Sequence, residues 1–484
     1  MPDASKQWWR DAVVYQIYPR SFQDSDGDGE GDLLGIRRRL DHVASLGADA
    51  VWLSPIYPSP MADGGYDVSD YEDVDPRFGT LADFDALLDE AHGRGLRLLM
   101  DIVPCHTSIA HPWFRERPDF YVWSDRDGPR NNWIASFGGR AWSRDEVSGR
   151  WYLHSFYPEQ PDLNWRNPSV REAMAGVLRF WRERGVDGFR LDAIDRVMKD
   201  PQLRDDPPAN GPPPLPLHPE HATLEHVHSR NAPDTREALA ALREGAGDAF
   251  LVGEVYLPSA GLGPYLEHLD LAFAFELFHS PWDVDAVRAA IEAAPPGGVA
   301  WVLSNHDFDR LPDRVGHGNE RAAAMLALTL PGTVFVYQGD EIGMANGPGG
   351  DPPVDRFGRD AFRHPMRWTD AERHGGFTTA ERPWLPATPV HGGGVAEQER
   401  DPGSLLHLYR DLIALRRGFA PGLELVDAAE GVLAYRRGRR LVALNLAPDE
   451  RPAPPAGDLV RHTHGRSGSA PARLAPGEGF VSEM

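Results

Sequence analysis

Cysteine is almost absent: Cys105 is the one thiol in 484 residues. No intramolecular disulfide can form, and a reducing compartment is favoured. No apolar run approaches the about 18 residues that an ordinary transmembrane helix needs. The opening stretch MPDASKQWWRDAVVYQIYPR has no apolar segment of the secretory-signal kind, so the expected location is the cytoplasm. Positive charge is also short, with 50 Lys and Arg against 73 Asp and Glu, a net −23. A surface of that sign repels nucleic acid and anionic membrane, which excludes both as partners and fits a small neutral ligand. Missing too are a serine or cysteine nucleophile motif, any HExxH-like zinc spacing and any repeat of solenoid period. No organic cofactor is expected, and nothing selects a monomer over a homodimer.

What is present begins with an alternation of short apolar strands and amphipathic helices, the pattern of a parallel sheet. Val13–Tyr18 reads as the first strand. Leu33, Ile36, Leu40 and Val43 then recur at helical spacing, with Gly47 as the stop. Ala50–Leu53 and Leu96–Val103 follow as strands two and three. After them, residues 107–168 are rich in aromatic, Gly, Pro, Asn and charged side chains. That is too long for a structureless loop and predicts a small inserted domain. The rhythm resumes with a helix carrying Val170, Met174, Val177 and Trp181. Further strands are expected at Val186–Leu191, Ala249–Gly253, Leu271–Phe275, Ala300–Leu303 and Thr333–Tyr337. Eight strands match closure into an α/β (β/α)8 barrel, here assigned to 1–106 and 169–418. Proline density makes 205–221 an extended loop. Residues 345–402 form a second Gly/Pro-rich excursion after strand eight. From 419 to 484 the chain turns to short strands, implying a small C-terminal β-sandwich-like domain.

Four stretches carry the chemistry: DIVPCH (101–106), GFRLDAID (188–195), GEV (253–255) and SNHD (304–307). Each leaves an apolar run and ends in ionisable groups, as strands do when they open onto the carboxyl-terminal rim of a barrel. Asp192, Glu254 and Asp307 are thereby expected to meet, a set suited to acid/base and carboxylate-nucleophile work on a sugar. Arg190 shares a strand face with Asp192 and can keep it ionised, although the same pair also reads as a plain buried ion pair. Glu254 ends an apolar strand after Gly253, where desolvation raises a carboxyl pKa as a general acid requires. His106 and His306, at two strand ends, are placed to bind sugar hydroxyls. The histidines at 218, 221, 226 and 228 read as part of an exposed loop. The acidic loop DSDGDGEGD (24–32) offers Asp24, Asp26, Asp28 and Asp32, with Glu30 through its carbonyl. It resembles half of a calcium loop, lacking the bidentate glutamate where Gly35 stands. A structural Ca2+ or Mg2+ is expected there.

Together these stretches resemble the α-amylase superfamily of glycoside hydrolases, in its oligo-1,6-glucosidase/α-glucosidase branch. QPDLN (160–164) is similar to the tag of that branch. GADAVWLSPIYPSP, DGGYDVSDY, GTVFVYQGDEIG and RHPMRW extend the likeness over nearly the whole chain. The resemblance implies Asp192 as nucleophile, Glu254 as acid/base and Asp307 as transition-state stabiliser. It implies that Asp63, Tyr66, His106, Arg190, His306 and Arg363 grip the non-reducing glucose, with Phe137, Phe156 and Gln160 contributed by the inserted domain. It also implies calcium or magnesium in the acidic loop. Two departures stand out. Cys105 replaces the usual Asn, and Ala193 follows the nucleophile where Val accompanies α-1,6 preference, which favours α-1,4 linkage. The terminal β-domain is also shorter than usual. The expectation is a retaining exo-α-glucosidase on short α-1,4-glucosides such as maltose, with some glucosyl transfer. A glucosyltransferase or a sucrose/trehalose-type isomerase is the alternative.

Overall fold

Eight short, buried strands close into a parallel barrel in chain order. They are β1 (Val13–Ile17), β2 (Ala50–Leu53), β3 (Arg97–Ile102), β4 (Gly188–Leu191), β5 (Phe250–Gly253), β6 (Leu271–Phe273), β7 (Val299–Val302) and β8 (Thr333–Tyr337). The computed structural model describes residues 4–211 and 218–483. Strands covered on both faces take mostly apolar side chains, which is why these segments read as near-continuous hydrophobic runs.

The crossover helices begin and end where local chemistry dictates. Asp32 caps helix Leu33–Leu46 by accepting from Gly35 N, and Gly47 closes it at φ +93. Asn167 caps helix Pro168–Glu183, with Pro168 in the first turn, where no N–H is needed. Five strands, β1, β3, β4, β5 and β6, are one or two residues shorter than expected. β4 starts at Gly188 because the Val186 N–H is still committed to the Trp181 carbonyl at the helix end. β6 stops at Phe273 because Phe275–His279 is already helical.

Within 107–168, an antiparallel pair, Trp142–Arg144 with Trp151–Leu153, packs on Trp133, Ala135 and Ala141. Toward the C-terminus, five antiparallel strands run in the order Glu424–Val426, Val432–Arg437, Arg440–Asn445, Gly479–Glu483 and Asp458–His462. Alternate residues Val432, Ala434, Leu441 and Ala443 bury with Phe480 and Leu474 on one face. The chain divides into two compact units, Met1–Trp52, Asp89–Arg97 and Glu276–Met484 in one, Leu53–Leu88 and Leu98–Phe275 in the other. Of the proline-rich loop, 212–217 lie outside the described residues. Among the described residues no helix is long and apolar enough to cross a membrane.

Candidate active site

In the unit containing residues 98–275, register puts Asp101 of β3 directly beside Arg190 of β4. Asp192 follows β4 at once and Glu254 follows β5. A Cβ on Gly253 would lie 2.4 Å from Leu269 Cδ1, so the strand end before Glu254 is closely covered. Arg190 is completely enclosed and serves three carboxylates. Its Nη1 donates to Asp101 Oδ1 at 2.9 Å and to Asp192 Oδ1 at 2.6 Å. Its Nη2 meets Glu254 Oε1 at 2.9 Å. Glu254 Oε2 accepts from the Ala193 backbone N–H at 2.9 Å, which Ala193 presents from a left-handed conformation, φ +43. The peptide after Asp192 thus tethers Glu254.

One guanidinium cannot balance three buried anions. Burial pushes Asp192 up from the ordinary carboxylate range, Arg190 pulls it back, and Asp101 pushes it up again. Burial likewise raises Asp101 against the pull of Arg190, with Glu254 adding repulsion. The set therefore holds a proton that exposed carboxyl groups would release.

A second network in the same unit is directional. Gln160 Nε2 donates to Asp63 Oδ2 and to His106 Nε2, both at 2.8 Å, while its Oε1 accepts from Tyr157 N. His106 Nε2 is thus the acceptor and its proton sits on Nδ1. Burial lowers His106 to about 4, so it is uncharged at neutral pH. Tyr66 donates from its hydroxyl to Asp101 Oδ2 at 3.0 Å. The Phe156 ring lies 5.1 Å from His106 and 5.4 Å from Phe137.

The other unit carries Asp307, just past β7, with its own partners. Arg359 Nη1 and Arg363 Nη2 both donate to Oδ1, at 3.1 and 2.9 Å. Gln16 donates its amide to His306 Nδ1 at 2.8 Å, so His306 carries its proton on Nε2, 3.1 Å from Asp307 Oδ2. Asp355 holds Arg359 at 2.6 Å. Tyr18 stacks on His306 and lies under Arg363.

Among the described residues, three clusters have metal-like composition. Asp24, Asp26 and Asp28 bring oxygens within 4.8 Å of one another. Burial raises Asp28, and Asp26, Asp24 and Glu30 add repulsion, which a cation would relieve. Glu30 turns its side chain to Arg20, and Asp32 spends its oxygens on Gly35 N and Ser25 N. The side-chain oxygens that converge are those of Asp24, Asp26 and Asp28, three of the five expected residues. Cys105, His106 and Asp162 also converge. Lys199 already fills that place, 2.6 Å from Asp162 and 3.8 Å from Cys105 Sγ. His462, His464 and Glu478 form the third group. His462 Nδ1 accepts from His464 N, which leaves the proton on Nε2 facing Glu478 and no lone pair there for a metal.

Asp101, Arg359 and Asp355 were not among the expected site residues. Asp101 was legible as a charged residue inside an apolar strand. Arg359 stands four before Arg363, a spacing that brings two guanidiniums onto one carboxylate.

Residues 16–420 match the catalytic domain of α-amylase. The chain belongs to the α-amylase family. It is a glycoside hydrolase of the α-glucosidase branch. A probable α-glucosidase of Rhizobium meliloti is 43% identical, with 90% of this chain and 88% of that protein covered. An oligo-1,6-glucosidase of Parageobacillus thermoglucosidasius is 38% identical, covering 85% and 84%. Among solved structures, the α-glucosyl transfer enzyme XgtA superposes with TM-score 0.91 at 37% identity, covering 98% and 99%. The trehalulose synthase MutB does so with TM-score 0.85 at 31% identity, covering 99% and 100%.

Proposed function

We propose that this α-amylase-family protein is a retaining exo-α-glucosidase, removing glucose from the non-reducing end of short α-glucosides such as maltose. The observation that carries this reading is the gathering of Asp192 and Glu254, with Asp101, on one buried guanidinium. Asp192 attacks the anomeric carbon as its anion, kept partly ionised by Arg190. Glu254 donates its proton to the departing oxygen, then takes one from the water that releases glucose. Asp307 meets the positive charge that develops on the flattened ring. Asp63, His106 and Gln160, locked to one another by directional hydrogen bonds, grip the glucose hydroxyls, and Tyr66, Phe137, Phe156, His306 and Arg363 complete the site. Ala193 supports α-1,4 over α-1,6 linkage.

Replacing Asp192 by Asn tests the core of the proposal. Cleavage of p-nitrophenyl α-glucoside should fall by several orders of magnitude, while the melting temperature stays near wild type. Full activity in that variant refutes it. Transfer to a second sugar is the other reading, favoured by the likeness to XgtA and to the trehalulose synthase. Product analysis on maltose and sucrose separates the two: free glucose marks hydrolysis, and new disaccharides mark transfer.

Asp24, Asp26 and Asp28 suit a hard cation bound by oxygen alone. Calcium or magnesium there would neutralise the loop and fix it, with no part in bond cleavage.

A further inference from the structure

Arg196 is a buried arginine without an anion. It closes the short turn Ile194–Arg196 that follows Asp192, and only 3% of its surface is exposed. Among the described residues no carboxylate lies within ion-pairing distance of it, and its buried Nη2 has no hydrogen-bond partner. The neighbouring cations are served: Arg230 faces Asp195 at 3.5 Å, and Lys199 faces Asp162 at 2.6 Å. His221, 5% exposed, also buries an Nε2 without a partner. Burial depresses that imidazole well below its ordinary range, and the nearby Arg196 depresses it further, so it stays neutral and can donate or accept.

The place of Arg196 is as telling as its isolation. Its guanidinium sits 5.5 Å from the ring of Phe156, and that ring contacts His106. Yet Arg196 makes no hydrogen bond to Asp63, Gln160, His106, Asp192 or Glu254, the groups assigned to the glucose and its chemistry. What remains for it is the other half of the substrate. An enclosed guanidinium lacking a counter-charge is costly by itself, and an anion is the ligand that offsets the cost.

We propose that Arg196 binds an anionic group, a carboxylate or a phosphate, on the leaving-group half of the α-glucoside. This rests on the α-glucosidase reading and adds a substrate class to it. A carboxylate or phosphate matches the planar fork of a guanidinium with two parallel hydrogen bonds, which a neutral sugar hydroxyl cannot do.

The test uses matched pairs of substrates with the intact protein. One pair is 2-O-α-glucosylglycerate and 2-O-α-glucosylglycerol; the other is maltose with and without a phosphate on its reducing glucose. At least one anionic member should show a kcat/KM about tenfold or more above its neutral partner, as a charge-assisted contact implies. The pair that responds tells a carboxylate from a phosphate. Arg196→Gln should abolish the preference and Arg196→Lys should keep part of it. If Arg196→Gln does not fold, Arg196→Lys decides, and a ratio unchanged in it overturns the proposal. Neutral substrates cleaved as well as both anionic ones overturn the proposal and leave the α-glucosidase reading standing. No cleavage of any of the four removes both.

Discussion

Replacing Asp101 by Asn should move the whole pH–activity profile toward acid. Asp101 and Asp192 both contact Arg190 Nη1, at 2.9 and 2.6 Å, so their oxygens are no farther apart than those two distances end to end. At about 5.5 Å and an effective dielectric of about 20, their repulsion is about 3 kcal/mol, equivalent to about two pH units. Asn keeps the shape and one acceptor while deleting the charge, and the Tyr66 hydroxyl can rotate to accept from its amide. Without Asp101, burial still raises Asp192 but one of the forces raising it is gone, so Asp192 stays ionised to lower pH. Asp101 and Glu254 repel each other as well, so the acid/base should also lose its proton earlier. Both limbs of log kcat/KM against pH therefore shift down, by up to about two units. The assay is p-nitrophenyl α-glucoside cleavage from pH 4 to 9 with wild type and variant. The two apparent values belong to the carboxylate set rather than to single residues. Limbs that stay put, or that move upward, refute the shared-guanidinium account.

Arg359→Gln removes one of the two guanidiniums on Asp307 and should lower kcat by about tenfold to a hundredfold with little change in KM, since the stabiliser matters mainly in the transition state; a change confined to KM contradicts that role. Ala193→Val forces a β-branched residue to φ +43, so stability should fall by about 1–2 kcal/mol, read as a lower melting temperature, and the maltose-to-isomaltose activity ratio should drop; an unchanged melting temperature removes the strain argument. Calcium at about a hundred times its dissociation constant should stabilise the fold by about 2.7 kcal/mol in thermal melts. Asp24→Asn should abolish that gain, and a gain that persists in the variant would place the ion elsewhere.

The barrel was legible because each parallel strand is buried on both faces and leaves an uninterrupted apolar run in the chain. The strand ends were less so. Val186 is apolar and β-branched, yet its N–H closes the preceding helix, and no local pattern separates those two uses of one residue. Phe275 extends the apolar run of β6 but opens a helix instead, an outcome decided by tertiary packing. At the site, the residues ending strands announced themselves by composition. Asp101 was harder, because its importance comes from sitting beside Arg190, a register that only strand pairing reveals. In the acidic loop, composition could not show that the side chains of Asp24, Asp26 and Asp28 converge while Asp32 also caps a helix and the Glu30 side chain answers Arg20.

The two units hold their carboxylates under opposite electrostatic conditions, and that difference assigns the chemistry. Around Arg190, three buried carboxylates face one cation, and the excess negative charge favours keeping a proton. Around Asp307, the acids Asp307 and Asp355 face the cations Arg359 and Arg363, so charge is already balanced. Asp307 accepts from two guanidiniums on one oxygen and faces the His306 N–H with the other. A general acid must arrive protonated and a transition-state stabiliser must arrive charged. The excess charge therefore favours a retained proton within the Arg190 set, shared among its carboxylates rather than fixed on one. On the proposed α-glucosidase reading, Asp307, already paired with cations, is the carboxylate that would meet positive charge on the sugar.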